Sequence, residues 1–170
     1  LPNLSGAMFR GRVIKQLFEA HQSWVGAVAG IGLFQDIRND HATQISTGSD
    51  TVTLVRQSDG HFYATLDVNG APVRFVVDTG ATGVVLSRRD AEQAGFDIDA
   101  LVFSGRARTA NGPVQTAFVR LDTLEFAGRR DAGLRASVNG GQLDTSLLGM
   151  DYLGRFDRIE ISGQTLRLVP

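Results

Sequence analysis

The stretch from Phe75 to Ser87, FVVDTGATGVVLS, constrains this chain more than any other part of its sequence. Valine-rich apolar runs lie on both sides of Asp78-Thr79-Gly80, which predicts a carboxylate on a tight turn between two buried strands. Gly80 permits the backbone angles and close approach that such a turn needs, and the Thr79 hydroxyl can bond to the backbone or to a symmetry partner. An Asp at a strand end is usually a turn residue or a helix cap. The apolar runs on both sides make Asp78-Thr79-Gly80 a more specific indication of a carboxylate held on a rigid turn.

Other catalytic groups are scarce. The chain has no cysteine, which excludes thiolate nucleophiles, disulfides and Cys-ligated zinc. The histidines His21, His41 and His61 show no metal-binding spacing, and no G-x-S-x-G motif accompanies them. The 17 basic and 18 acidic residues are nearly balanced, which argues against a nucleic-acid-binding protein. Hydrolysis by this chain would therefore use carboxylates, and neither a metal nor another cofactor is expected.

From about residue 51 the sequence predicts many short strands separated by frequent turns. Three dipeptides mark hairpins between these strands: Asn69-Gly70, Asn111-Gly112 and Ser162-Gly163. The expected fold class is mostly β, a compact and mainly antiparallel domain over residues 51–170 with one or two short helices.

One helix is clearly predicted after Ser87. Ser87 can act as its N-cap, Asp90 stands three residues later as in a capping box, and Gly95 can end it. Residues 147–156, LLGMDYLGRF, indicate a turn that leads into a second short helix.

Three segments in this order resemble the retropepsin-like aspartic protease family, over roughly residues 61–170. Asp78-Thr79-Gly80-Ala81 is similar to its active-site loop, and Thr109-Ala110-Asn111-Gly112 stands where the family carries a flap over the substrate. Leu147-Leu148-Gly149 matches the apolar-apolar-Gly element that lies beside the catalytic loop. The resemblance implies a single-lobe acid protease β-barrel, with Asp78 as the catalytic residue of an endopeptidase.

The chain contains one good Asp-Thr-Gly motif, whereas a bilobal enzyme of this superfamily carries two. Asp144-Thr145-Ser146 lacks the glycine and directly precedes Leu147, so it is interpreted as a polar turn of the same lobe. The resemblance thus implies a homodimer in which each copy supplies one Asp78. An alternative is a catalytically silent domain that uses the same β scaffold to bind peptides or to assemble.

The resemblance also suggests which parts meet in such a dimer. The Thr79 loops, the flap tips near Asn111 and the terminal strand Leu166–Val169 are expected at or near the two-fold axis. Because this terminal strand is short, a weak dimer, or a monomer for the isolated chain, is expected.

Residues 1–34 have a different composition and predict a helical segment, joined to the domain by a polar linker at 35–50. The apolar run 24–34 is too short to span a bilayer, so residues 17–34 are interpreted as a marginal membrane anchor. The basic residues before this run would place the protease domain in the periplasm or elsewhere outside the cytoplasm. A helix packed on soluble protein, or one that binds a partner, remains an alternative.

Overall fold

The computed structural model of this chain describes residues 44–45, 51–109 and 112–170, all within the compact unit Thr43–Pro170, and of residues 44–45 only the backbone. The helical segment and anchor predicted within residues 1–34 lie outside these residues, as does most of the predicted linker. No helix in the described part of the chain is long and apolar enough to cross a membrane.

The described residues form eleven strands, two short α-helices and one 3₁₀ helix, Ile98–Ala100. The strands are β1 (Gln44–Ile45), β2 (Val52–Val55), β3 (Tyr63–Val68), β4 (Ala71–Val77), β5 (Val84–Leu86), β6 (Gly105–Thr109), β7 (Gly112–Phe126), β8 (Arg129–Asn139), β9 (Ser146–Leu148), β10 (Arg158–Ser162) and β11 (Thr165–Val169). The helices are α1 (Arg88–Gln93) and α2 (Met150–Leu153).

Six strands close into a barrel in the order β3-β4-β9-β5-β8-β7, and β7 pairs back onto β3 to complete it. β6 pairs with β7 and extends from the barrel as one arm of a long hairpin. This arrangement confirms the predicted single-lobe, mostly β barrel with two short helices.

A second sheet has the order β1-β2-β11-β10, with every neighbouring pair antiparallel. Its inner residues Val52, Leu54, Leu166 and Leu168 are fully buried and belong to the same core as the barrel. Burial of these side chains attaches the sheet to the lobe through the hydrophobic effect. Within the predicted linker, Gln44–Ile45 therefore contributes an edge strand to this sheet.

The predicted hairpin at Asn69-Gly70 and the predicted helix after Ser87 are both confirmed. Asn69 and Gly70 both have positive φ, 52° and 86°, as the tight turn between β3 and β4 requires. Ser87 caps α1 by accepting a hydrogen bond from the backbone N–H of Asp90. Gly95, with φ of 89°, follows the end of that helix.

β9 differs from the prediction, which made Leu147 and Leu148 part of a turn. Ser146–Leu148 is a strand, parallel to β4 on one side and antiparallel to β5 on the other. Three residues are too few to show the alternation that identifies a strand in a sequence. Ser146–Leu148 forms a strand because β4 and β5 pair with it on both sides, not because of a pattern in its own sequence.

Candidate active site

Asp78 directly follows β4, where the apolar strand ends and the Asp-Thr-Gly turn begins. Its backbone N–H donates to the carbonyl of Leu148 at 3.1 Å, which ties the aspartate to β9. Its side-chain Oδ1 accepts a hydrogen bond of 2.8 Å from the backbone N–H of Gly80. Asp78 is half-buried, and the Gly80 N–H positions its carboxyl group.

The turn itself is tight. The backbone N–H of Ala81 donates to the carbonyl of Asp78 at 3.2 Å, while Thr79 and Gly80 are exposed. A Cβ atom at Gly80 would lie 3.2 Å from Asp78 Oδ1, tighter than nine in ten contacts of real Cβ atoms. Glycine therefore leaves room for the aspartate carboxylate.

Gly149 packs directly against this turn and is itself buried. A Cβ atom there would lie 2.6 Å from the carbonyl oxygen of Ala81, a distance that no side chain can tolerate. The next two residues, Met150 and Asp151, donate backbone hydrogen bonds to the carbonyls of Ala81 and Thr82, at 2.9 and 2.7 Å. The Leu-Leu-Gly segment and the start of α2 thus hold the aspartate loop from behind.

One face of the barrel carries an unbroken row of side chains beside this turn. Consecutive strand pairings place these residues side by side: Val76, Leu147, Val85, Ser137 and Phe118. The first four are half-buried, and Phe118 is 68% exposed. Because directly paired residues point to the same side of a sheet, they form a surface that is apolar except for Ser137 and begins two residues before Asp78.

The neighbouring row points into the barrel. It contains Val77, Leu148, Val84, Ala136 and Val119. Leu148, Val84 and Ala136 are buried in the core, and Val77 and Val119 pack against it. The outer row is therefore not core, and its aliphatic side chains are unusual for the outer side of a barrel.

The predicted flap is the hairpin of β6 and β7. Thr109 and Gly112 pair at its described end, and the Thr109 hydroxyl donates to the Gly112 carbonyl at 2.8 Å. Ala110 and Asn111, which stand between these two residues in the sequence, lie outside the described residues. Along β6, Arg106 and Arg108 are exposed. The hairpin is where the sequence predicted it, whereas its contact with a substrate stays a prediction.

A buried polar cluster beside β9 is the feature that sequence reasoning missed. The Ser146 hydroxyl donates to Asp90 Oδ2 at 2.5 Å and accepts from the backbone N–H of Ser87 at 3.0 Å. Ser146 is completely buried and Ser87 is 2% exposed. In the predicted capping box Asp90 would accept from Ser87 directly, but the Ser146 hydroxyl lies between them. A Ser-x-x-Asp pattern cannot reveal that third partner.

The remaining acidic candidates are not part of the Asp78 turn, although the backbone N–H of Asp151 donates to the loop that follows it. Asp144 is exposed in the loop before β9, and Asp151 is exposed in the first turn of α2. Across residues 51–109 and 112–170, no three acidic or histidine side chains come together as a metal-binding group.

Residues 64–155 match the family model described as "gag-polyprotein putative aspartyl protease". A solved structure, a retropepsin-like aspartic protease from Rickettsia conorii, is 35% identical with a TM-score of 0.60, over 69% of this chain and 87% of that one. Uncharacterized proteins from Rickettsia prowazekii (strain Madrid E) and a Sinorhizobium species are each 37% identical, over 72% of this chain. The match covers 53% of each of these two proteins, so the chain spans about half the length of the curated relatives it matches.

Proposed function

We propose that this chain, which belongs to the retropepsin-like aspartic protease family, is one subunit of an aspartic endopeptidase. The observation that supports this best is the Asp78 turn. Asp78 is half-buried, its carboxylate accepts a hydrogen bond from the Gly80 N–H, and Gly149 packs against the backbone of the same turn. A carboxylate fixed in this way can bind and activate a water molecule.

The chemistry needs two such carboxylates, and one copy supplies one Asp-Thr-Gly turn. In the proposed homodimer the two Asp78 side chains meet at the two-fold axis. Like charges about 3 Å apart cannot both ionise readily, so the pair holds one proton between them. The ionised member takes a proton from water, which attacks the peptide carbonyl. The protonated member bonds to the carbonyl oxygen and later helps to protonate the leaving nitrogen.

The substrate in this proposal is a polypeptide in an extended conformation. The outer row that begins at Val76 and continues through Leu147 and Val85 offers it an apolar wall. Bulky apolar side chains next to the scissile bond are therefore expected, because their burial against this wall is favourable. The hairpin tip at Thr109–Gly112 would cover the bound peptide and exclude water from it.

Asp78→Asn tests the activity, with cleavage of casein or a peptide library at mildly acidic pH as the readout. The amide cannot act as a base, so the rate should fall by roughly 10³-fold or more, and a pepstatin-type inhibitor should block the wild-type chain. Asp144→Asn is the matched control, because it makes the same change in an exposed loop. It should keep most of the activity, and equal losses in both variants would contradict the proposal.

The alternative, a silent peptide-binding domain, makes a different prediction in the same assay. It expects peptides to bind to wild-type and Asp78→Asn chains alike without any cleavage. No feature of the Asp78 turn favours it, because Thr79, Gly80 and Ala81 complete the active-site loop of the family.

We also propose that residues 17–34 associate with a membrane and that the protease domain lies outside the cytoplasm. This proposal rests on the sequence alone. Fractionation of cells that express the full chain tests it. A membrane-bound chain whose protease domain is accessible to external protease is the expected result.

A further inference from the structure

The row of outer side chains beside the Asp78 turn also extends onto β3. Tyr63 pairs directly with Val76, so the two side chains point to the same side of the sheet. The ladder continues beyond the end of β3, because the backbone N–H of Val77 donates to the carbonyl of Phe62 at 2.9 Å. The segment that precedes β3 therefore runs alongside the end of β4.

His61 lies in this segment, next to the Asp78 turn. Continued by two residues, the β3–β4 register sets His61 opposite Asp78. Opposite residues in an antiparallel ladder have Cα atoms roughly 5 Å apart and side chains on the same side. The rings of His61 and Tyr63 are edge to face, with centroids 6.4 Å apart, as expected for side chains that share one side of a strand. The imidazole is therefore on the side where a peptide would meet Asp78.

A carboxylate holds this histidine in place. Asp59 Oδ1 accepts a hydrogen bond of 3.0 Å from the backbone N–H of His61 and lies 3.6 Å from its Nδ1. The other oxygen, Oδ2, accepts a hydrogen bond of 2.5 Å from the Tyr63 hydroxyl. Both oxygens of Asp59 are thus engaged, and the Nδ1 edge of the imidazole faces them.

The nitrogen that remains available is His61 Nε2. Within the ranges 51–109 and 112–170 no group bonds to it, and 59% of the side chain is exposed. A protonated imidazole donates from both nitrogens. Because Asp59 occupies the Nδ1 side, the Nε2–H is the donor that a bound molecule can reach.

The charges around His61 favour an anion at this position. The Arg74 guanidinium lies 3.6 Å from the centre of the Tyr63 ring, and Arg56 donates to the carbonyl of Gly60 at 2.9 Å. Neither arginine forms an ion pair with another described residue. Asp59 is the acidic side chain that contacts His61, and hydrogen bonds from the Tyr63 hydroxyl and the His61 backbone hold its pKa below the ordinary value. One carboxylate is therefore surrounded by two arginines and a histidine, which leaves the region positive when the histidine is protonated.

We propose that His61 is a specificity-determining residue, and that its protonated ring binds an acidic side chain of the substrate through Nε2. This inference rests on the proposed function and deepens it, because it adds a carboxylate to the apolar residues expected beside the scissile bond. An extended peptide advances about 3.3 Å per residue, so the acidic residue is expected within about three residues of that bond. A basic side chain is not favoured, since both oxygens of Asp59 already have partners.

Paired peptides test this preference in the full chain. The two peptides of a pair differ only by Glu or Gln at one position, and kcat/KM is measured between about pH 5.5 and 7.5, where histidine titrates and glutamate stays ionised. Both peptides use the same Asp78 carboxylates, so titration of the active site cancels in their ratio. In at least one pair Glu should be preferred about 3–5-fold near pH 5.5, as for a partly exposed ion pair. The ratio should fall toward one as the pH rises.

Two substitutions of His61 separate its charge from its shape. His61→Gln keeps a hydrogen-bond donor without the charge, so the ratio should approach one at every pH. His61→Arg carries a charge that does not titrate in this range, so it should keep the preference and remove its dependence on pH. Arg89→Gln, which removes a positive charge at an exposed position in α1, is the control and should retain the wild-type ratio.

The outcomes separate this inference from the proposed function. Cleavage that Asp78→Asn abolishes, with no preference for Glu at any position or with a preference that survives His61→Gln, would overturn the inference and leave the protease. Equal losses of the preference in His61→Gln and Arg89→Gln would also overturn it, because the effect would then reflect overall charge.

If no peptide is cleaved, the protease proposal fails and binding decides the inference. The same peptide pairs, labelled with a fluorophore, are then titrated with the full chain near pH 5.5. Tighter binding of the Glu peptide that is lost in His61→Gln would support recognition by His61. Equal binding of both peptides would overturn it.

Discussion

The backbone N–H of Asp78 donates a hydrogen bond of 3.1 Å to the backbone carbonyl of Leu148. This bond joins two motifs that are far apart in the sequence, the Asp-Thr-Gly turn and the Leu-Leu-Gly segment. The position of the aspartate therefore depends on β9. Substitutions that move β9 should displace the Asp78 carboxylate even when the substituted residue does not contact it.

Gly149→Ala should destabilise the protein strongly. The added methyl group would lie 2.6 Å from the carbonyl oxygen of Ala81, which is backbone and can move only if the turn moves. We expect the free energy of unfolding to fall by about 2–4 kcal/mol, measured by urea denaturation.

Gly128→Ala is the matched control for this change. Gly128 has positive φ, 79°, and nothing within 4 Å of an added Cβ atom, so its substitution costs only backbone strain of about 1 kcal/mol. Gly149 itself has an ordinary extended backbone, with φ of −93° and ψ of −178°, so a loss at Gly149 no larger than the loss at Gly128 would contradict the predicted clash with the turn.

Ser146→Ala should also be destabilising, although it removes a single oxygen atom. It leaves the Asp90 carboxylate and the Ser87 N–H without their partner inside the protein, at a cost of about 1–3 kcal/mol. Ser104→Ala, at an exposed position, is the control and should change the free energy of unfolding little.

A double-mutant cycle isolates the interaction between Ser146 and Asp90. Once Asp90→Ala has removed the carboxylate, Ser146→Ala should cost less than it does alone, with a coupling of about 1 kcal/mol or more. Strictly additive losses would mean that the 2.5 Å contact contributes nothing of its own.

Local chemistry explains which parts of the fold were predictable. Asn69-Gly70 fixes a hairpin and Ser87 fixes a helix start, because each acts through its own backbone or that of near neighbours. The apolar runs on both sides of Asp78 predicted its place on a turn after a strand, and the resemblance to the family implied its catalytic role. The role of Ser146 and the row from Val76 to Phe118 depend on strand register across distant segments. A single sequence carries no signal for that register.

Stability at alkaline pH should depend on Tyr152. Burial, reinforced by the nearby charge of Asp131, raises the pKa of Tyr152 to about 12 from the ordinary value of 10.0. The folded chain therefore keeps this proton where the unfolded chain has lost it. The stabilisation is complete below pH 10 and is lost as the pH rises toward 12, about 2 kcal/mol in all.

Tyr152→Phe tests this dependence through denaturation at a series of pH values. The Tyr152 hydroxyl is buried and has no hydrogen-bond partner in the described structure, so at neutral pH the change should be neutral or slightly stabilising. Between pH 10 and 12 the variant should lose less stability than the wild type. Parallel curves for the two proteins would contradict the assignment. Tyr63→Phe should change the dependence of stability on pH less than Tyr152→Phe does, because the hydrogen bond to Asp59 also raises the pKa of Tyr63 but at a more accessible site.

The most direct test of the shared active site is a mixing experiment between wild-type and Asp78→Asn subunits. The wild-type concentration is held fixed where its specific activity has reached a plateau, and the variant is added until it is in about ninefold excess. Random pairing then leaves roughly one wild-type chain in ten with a wild-type partner. We predict that cleavage per wild-type chain falls to about one tenth, because a mixed dimer holds a single Asp78 carboxylate. An unchanged rate would show that each chain cleaves peptides alone, and it would contradict the shared site.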